Sequence, residues 1–246
     1  MHISISAEKV FEIGGFPVTN SMLATFAVML GLAVICIWGT RKMKQCPTGL
    51  QNILEMVVEA LHKLTHSVVD NKRIANKIFP LIATFFLFVI INNWAGLLPG
   101  FGSIGVNEIK EGEKVLVPFF RAGTADLNTT LMLAIVSVIA IQLIGIGVVG
   151  MRGYAKKFLN FSSPILFFVG ILELMSEFIK VISFSFRLFG NIFAGEVLLL
   201  VITSLIPYVI PVPFYGLEIF VGFIQALVFT MLTLVFIKMA MIEAHQ

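Results

Sequence analysis

Charge is scarce in this chain. Only 13% of its 246 residues are Asp, Glu, Lys or Arg, against about 25% in an ordinary soluble domain, which argues against a fold with a fully solvated surface. Cysteine is almost missing: Cys36 lies within an apolar run and Cys46 just past one, so no disulfide framework is expected and both read as free thiols. The N-terminus is short of cations, with Glu8 and Glu12 flanking a lone Lys9 before the first apolar run; it lacks the basic start of a signal peptide. Proline is absent from Ile165 to Ile206, so nothing there forces a helix to stop.

What is present is apolar and comes in blocks. Hydrophobic residues make up 58% of the chain, and the blocks are long enough to belong in a lipid bilayer, where a crossing helix needs about 20 residues. Spans are expected at about 21–39, 78–98 and 129–149. Between them, Leu50, Ile53, Leu54, Val57, Leu61, Leu64 and Val68 recur at helical spacing with polar residues on the other faces, which predicts an interfacial helix over 50–68. A polar stretch follows from Pro99 to Asn128, and Arg152, Lys156 and Lys157 form a short basic loop after the third span. The proline-free segment 165–206, as one helix, would be about 63 Å long, twice the hydrocarbon thickness of about 30 Å. It must break near Gly190 or Gly195 or lie strongly inclined. Pro207, Pro211 and Pro213 mark a turn, and residues 214–243 are expected to return antiparallel. The fold class is thus an all-α integral membrane protein of one domain (1–246), with about five membrane segments, an interfacial helix and two long tilted antiparallel helices.

Cations set the orientation. Arg41, Lys42, Lys44, Lys63, Lys72, Arg73 and Lys77 crowd the first connection, whereas the polar stretch 99–128 mixes both signs. The positive-inside rule then puts the first connection in the cytoplasm, the N-terminus outside and the C-terminus inside.

Inside the long apolar segment stand Arg187 and Glu196. An Arg at the bilayer centre costs at least about 2.5–3.5 kcal/mol, so it marks a functional site by default. At 100° per residue, Glu173, Lys180, Ser183 and Asn191 fall within about 40° of Arg187, while Glu196 falls about 180° away. On the returning helix, Glu218 and Gln225 share a face. The plain alternative is that these groups pair with one another or snorkel. The sharper reading is two polar half-paths on opposite sides of one helix, separated by a cation. Other motifs are weak. Gly145-Ile146-Gly147-Val148-Val149-Gly150 fits a dinucleotide pattern but ends an apolar helix instead of following a strand, and reads as glycines for close helix packing. His62 and His66 are spaced i, i+4 without the acid of a zinc motif, and read as a solvated helix face. No cofactor, resident metal or nucleic-acid partner is expected.

The runs FRLFGNIFAGE and IQALVFTMLTLVFIKMA, with PTGLQNILEMVVEAL, NNWAGLLPG and TADLNTTL, resemble subunit a of the proton-translocating ATP synthase over most of the chain. The resemblance implies a bacterial inner-membrane stator facing a ring of c subunits and held by b-type peripheral-stalk subunits. Nucleotide chemistry would take place elsewhere in the complex. It further implies that Arg187 is the essential arginine, with Asn191 and Gln225 near it at the ring surface. Glu196 and Glu218 would serve the outer proton path with Asn93 beside them, and Glu173 and Ser183 the cytoplasmic one. Some relatives carry histidine where this chain has Glu218. A secondary transporter would instead show a repeated half, and no second arginine segment is present.

Overall fold

The computed structural model describes residues 7–41, 49–98, 104–110, 113–158 and 163–242. Seven helices follow one another among them: α1 (Asn20–Thr40), α2 (Leu50–Val68), α3 (Lys72–Ala95), α4 (Leu127–Val149), α5 (Met151–Phe158), α6 (Pro164–Leu205) and α7 (Pro211–Ile242). Cys36 is a free thiol; Cys46 lies outside the described residues.

The expectation of an all-α chain needs correcting at two places. Strands β1 (Lys9–Ile13) and β2 (Phe16–Thr19) form an antiparallel hairpin ahead of α1. Its turn is Gly14-Gly15, both at positive φ, the backbone that a two-residue hairpin requires and that glycine supplies without steric cost. A second antiparallel pair, β3 (Gly105–Lys110) with β4 (Glu113–Pro118), occupies the polar stretch between α3 and α4. Helical periodicity in lipid-length windows has no power to find either. The expected basic loop at 152–157 is also helical, as α5; Gly150, at φ 84°, separates it from α4.

Helix boundaries follow local chemistry. Asn71 caps α3 by accepting from the amides of Arg73 and Ile74, so this helix begins well before the apolar run and takes in Lys72, Arg73 and Lys77. Asp126 caps α4 through the amide of Asn128 and also accepts the Ser21 hydroxyl at 2.9 Å, tying the starts of α1 and α4 together. Pro164 opens α6, where its missing N–H costs nothing. Pro211 and Pro213 lie in the first turn of α7 for the same reason, so the turn is confined to 206–210. Between them α6 runs unbroken for 42 residues, through both Gly190 and Gly195.

The apolar faces meet in two clusters. Phe85, Phe86, Val89 and Ile90 of α3 pack with Phe184 and Leu188 of α6, Ala226 and Phe229 of α7 and Leu61 of α2. Phe229 sits edge-on to Phe85 at 5.7 Å between ring centroids and tilted against Phe184 at 5.3 Å. The second cluster joins Ala75, Ile78 and Ile82 of α3, Ile141 of α4, and Leu234, Ile237 and Ala240 of α7. Thus α2 buries part of its apolar face on protein. On its other side Glu59 is hydrogen-bonded by Lys63, which holds that carboxyl below the usual range. Gly145 lets Tyr154 and Ala240 approach closely, whereas nothing stands against Gly147.

Helices α1, α3, α4 and α7 are each long and apolar enough to cross a membrane, so the protein is a multi-pass membrane protein. Lipid tails are as apolar as leucine, so packing and interhelical hydrogen bonds must supply the association. Ser137 of α4 meets Thr233 of α7 at 2.8 Å, and Thr130 of α4 meets Ser185 of α6 at 3.2 Å. Each such bond contributes about 0.6 kcal/mol on average. The Ser137–Thr233 contact is directly testable. Ser137→Cys with Thr233→Cys, in a background lacking Cys36 and Cys46, should cross-link readily under mild oxidation. Leu143→Cys, at an exposed position of α4, should give no cross-link with Thr233→Cys.

Candidate functional site along the long helix

Arg187 lies in the middle of α6 and is exposed on its outer surface. Its Nη2 donates to Ser183 Oγ, one turn back, at 3.4 Å. Among the described residues no carboxylate forms an ion pair with it. One turn forward, Asn191 Nδ2 donates to Gln225 Oε1 at 2.6 Å, and Gln225 is buried in α7. The structure therefore joins Ser183, Arg187, Asn191 and Gln225 into one polar strip across the surface formed by α6 and α7.

The opposite face of α6 carries a different arrangement. Glu196 is gripped by Arg121, whose Nε lies 3.1 Å from both carboxylate oxygens and whose Nη2 lies 3.1 Å from one of them. Arg121 is only 8% exposed, and its guanidinium carbon stands 5.6 Å from the centre of the Phe193 ring. It precedes a short 3-10 turn, Gly123–Ala125, that leads into α4. Sequence reasoning missed Arg121, because one cation in a stretch of mixed charge carries no helical phase. Its position five residues before the α4 cap, Asp126, was the available signal.

Glu218, on α7, is 6% exposed and lies directly over Gly195. A Cβ at Gly195 would collide with the Glu218 carboxylate, so glycine is needed there to admit the acid between the two helices. Among the described residues no hydrogen bond or ion pair reaches the Glu218 side chain. Glu218 and Glu196 thus flank the same turn of α6, one without a partner among the described residues and one clamped.

Asn93 is bound one turn beyond Glu218 along α7. Its amide donates to the Gly222 carbonyl at 2.9 Å and its oxygen accepts from the Thr124 hydroxyl at 2.7 Å, while Trp94 donates to the Ile219 carbonyl at 3.0 Å. The pair straps the end of α3 to α7, one turn beyond Glu218. The Cβ of Asn93 lies close enough to Gly222 that an added methyl there would press on it at 3.2 Å.

Toward the start of α6, Glu173 is half-buried and its backbone carbonyl accepts from Ser176. Glu177, also missed in the sequence, is buried and pairs with Lys180 at 2.8 Å; its other oxygen, Oε2, has no hydrogen-bond partner. Lys180 in turn lies 4.9 Å from the Phe236 ring centre. Lys180 shares the helical phase of Arg187 but is committed to this inward pair. No group of three or more His, Cys, Asp or Glu residues suited to a metal ion occurs among the described residues.

Comparison with known proteins gives the family. The family model described as ATP synthase A chain matches residues 21–238. ATP synthase subunit a of Moorella thermoacetica is 31% identical over 229 residues, covering 93% of this chain and 94% of the relative. That of Gloeobacter violaceus is 36% identical over 244 residues, covering 99% and 92%. A Geobacter relative of the same name is 31% identical over 92% of this chain and 89% of its own. An arginine-bearing long helix, four further apolar helices and a family match over nearly the whole chain lead to one conclusion: the protein belongs to the ATP synthase subunit a family, as a multi-pass component of the membrane sector that serves ATP synthesis and proton transport.

Proposed function

We propose that the chain is the stator of the proton-driven rotary motor, with two half-paths kept apart by Arg187 and with a ring of c subunits running past the α6–α7 surface. The observation that carries this reading is the exposed guanidinium of Arg187, in the middle of a 42-residue apolar helix, with no carboxylate partner in its own chain among the described residues. Such a charge in lipid needs a counter-ion, and a carboxylate on a passing helix supplies one.

The mechanism follows from a charge that cannot be lost. Guanidinium stays protonated at any accessible pH. At 4 Å and an effective dielectric near 20, it favours the ionised form of a facing carboxylate by about 4 kcal/mol, roughly a thousandfold. A ring carboxylate reaching Arg187 therefore sheds its proton to the cytoplasmic half-path, beside Ser183 and Glu173. The ionised carboxylate pairs with Arg187, moves on, and is reprotonated from the outer half-path through Glu218 and Glu196. Once neutral it can enter lipid, and the next one arrives. Asn191 and Gln225, bonded to each other, form the polar edge between Arg187 and the outer path. The membrane potential contributes about 2.3 kcal/mol per charge per 100 mV, which biases the direction.

The two outer acids take different parts. Glu218 has no partner among the described residues, so it is free to accept and release a proton. Glu196 is held by Arg121, which orients it at the mouth of the path, with Asn93 and Thr124 bracing the backbone nearby. The N-terminus is outside and the C-terminus inside a bacterial inner membrane, which puts the turn at 206–210 on the outer side and the start of α3 in the cytoplasm. The b-type stalk subunits hold this chain against rotation.

Three measurements test the reading. In a background without Cys36 and Cys46, Lys72→Cys should react only with reagent admitted from the cytoplasm. Tyr208→Cys, at a position 87% exposed, should react only from outside; reaction of both from one side overturns the topology. Arg187→Ala should abolish ATP-driven pumping in an assembled complex and open a passive leak. Arg187→Lys should also fail to restore coupling, because a desolvated ammonium can lose its proton and lacks the planar fork. Coupled synthesis near the normal rate in assembled Arg187→Ala complexes refutes the stator role. Finally, Glu218→Gln should slow passive proton flux through head-stripped membranes by about 100-fold, the scale of a lost acid–base group. Arg121→Gln should slow it less, since the Glu196 carboxylate remains but is no longer oriented. Equal flux in Glu218→Gln and unaltered membranes, at equal subunit content, rules out Glu218 as a carrier.

A further inference from the structure

We propose that His62 and His66 of α2, together with Asn76 of α3, form a binding site for a borderline divalent metal ion of the Zn2+ or Cu2+ class, built from none of the residues of the Arg187 strip. The two imidazole Nε2 atoms lie 3.1 Å apart, and each faces the same Asn76 Oδ1, at 3.2 Å from His62 and 2.9 Å from His66. Three donor atoms from two helices therefore converge on one point. The rings are tilted at 49° with centroids 4.3 Å apart, and Phe79 stands edge-on to His62, which limits their rotation.

Hydrogen bonding alone cannot satisfy this triangle. The Asn76 oxygen only accepts, and each neutral imidazole carries one N–H in total. If both Nε2 atoms are protonated, both can donate to Asn76, but their hydrogens then oppose each other across the third contact. If only one is protonated, the other nitrogen points a lone pair at the Asn76 oxygen. Turning the amide over to present its NH2 group satisfies contacts to Asn76 only when both Nε2 atoms are unprotonated, and leaves their lone pairs opposed. One of the three contacts is repulsive in each case. A cation placed among the three lone pairs makes all of them favourable at once.

The spacing suits such an ion. Zn–N and Zn–O bonds of about 2.0–2.2 Å separate adjacent donors by about 2.9 Å at a right angle and about 3.4 Å at the tetrahedral angle. The three observed separations lie within that range. The surrounding charge chooses the class of metal. Lys63, Lys72, Arg73 and Lys77 are exposed nearby, and among the described residues only Lys63 of these is paired, with Glu59. Mg2+ and Ca2+, which rely on charged oxygen donors, are disfavoured there. Zn2+ and Cu2+, which bind neutral imidazole strongly, are not. Asn76 is exposed and the histidines partly so, leaving the remaining coordination positions to water. Binding would bridge the interfacial helix to the start of α3, across the short connection from Val69 to Asn71.

The test uses the complete ATP synthase complex, purified through a tag without histidine and titrated with Cu2+ alone, with bound metal and the nitrogen hyperfine pattern of the Cu2+ resonance as readouts. The unaltered complex should hold one Cu2+ with two coupled nitrogens that the His62→Ala/His66→Ala complex lacks. His62→Ala alone should leave a single-nitrogen signal and bind at least about 10- to 100-fold more weakly, since losing a ligand costs no less than losing a ligand's hydrogen-bonded support. Asn76→Asp should tighten binding and Asn76→Ala should weaken it. All three positions of change, His62, His66 and Asn76, lie on α2 or α3 and are at least partly exposed, and subunit content establishes assembly. The same bound Cu2+ and the same spectrum in the double-alanine complex overturn the site, and equal affinity in the Asn76→Ala and unaltered complexes overturns the three-donor arrangement.

Discussion

A guanidinium in the middle of a lipid-length helix can neither be neutralised nor hydrated by lipid. If a carboxylate of the same chain paired with it, the two charges would settle into a stable internal salt bridge, and removing either would cost about 3–5 kcal/mol. The arrangement around α6 avoids that outcome. Glu177 is taken up by Lys180, and Glu196 by Arg121 on the far side of the helix. Glu218 lies over Gly195, beside that same turn. Arg187 is left with a weak contact to the Ser183 hydroxyl. The pairing of the neighbouring acids is what leaves the arginine's charge without a carboxylate partner among the described residues, and the continuity and packing of α6 serve to hold it there.

Much of this was legible from residue order. Blocks of apolar residues marked the helices because backbone polar groups in lipid must be satisfied within the helix itself. The absence of proline from 165 to 206 predicted a helix too long to stand upright, and α6 is continuous over 42 residues. Phase at 100° per residue put Arg187 and Asn191 on one face and Glu196 on the other, and their partners, Gln225 and Arg121, lie on different elements as that phase requires. Periodicity works well here because a helix in lipid has little freedom to be anything else.

The parts that were not legible share a cause: they depend on contacts between segments far apart in the chain. Arg121 sits 75 residues from Glu196, in a stretch whose mixed charge gives no hint of burial. Asn93 belongs to a strap whose acceptors, the carbonyls of α7, do not register in a sequence at all. Lys180 has the phase of the Arg187 stripe, yet a side chain four carbons long can swing to Glu177 and lie over Phe236, so phase fixes where its Cα is and not where its charge goes. The hairpins were missed for a local reason. Their strands are short and partly polar, and the Gly14-Gly15 turn that defines the first is a signal of a different period from the one that finds spanning helices.

Glycine at 195 shows how Glu196 and Glu218 come to differ. Any side chain there would push Glu218 away from α6. With glycine, Glu218 enters the gap but gains no hydrogen bond from it, while Glu196, one residue further along α6, points the other way and meets a buried arginine. Two carboxylates at one turn of α6 thus have different surroundings: Glu196 is held by a buried arginine, and Glu218 lies between α6 and α7 with no hydrogen bond or ion pair among the described residues. In the motor proposed above, that difference becomes separate parts: Glu196, fixed by Arg121, would orient, and Glu218, with no partner among the described residues, would be the group left to exchange a proton.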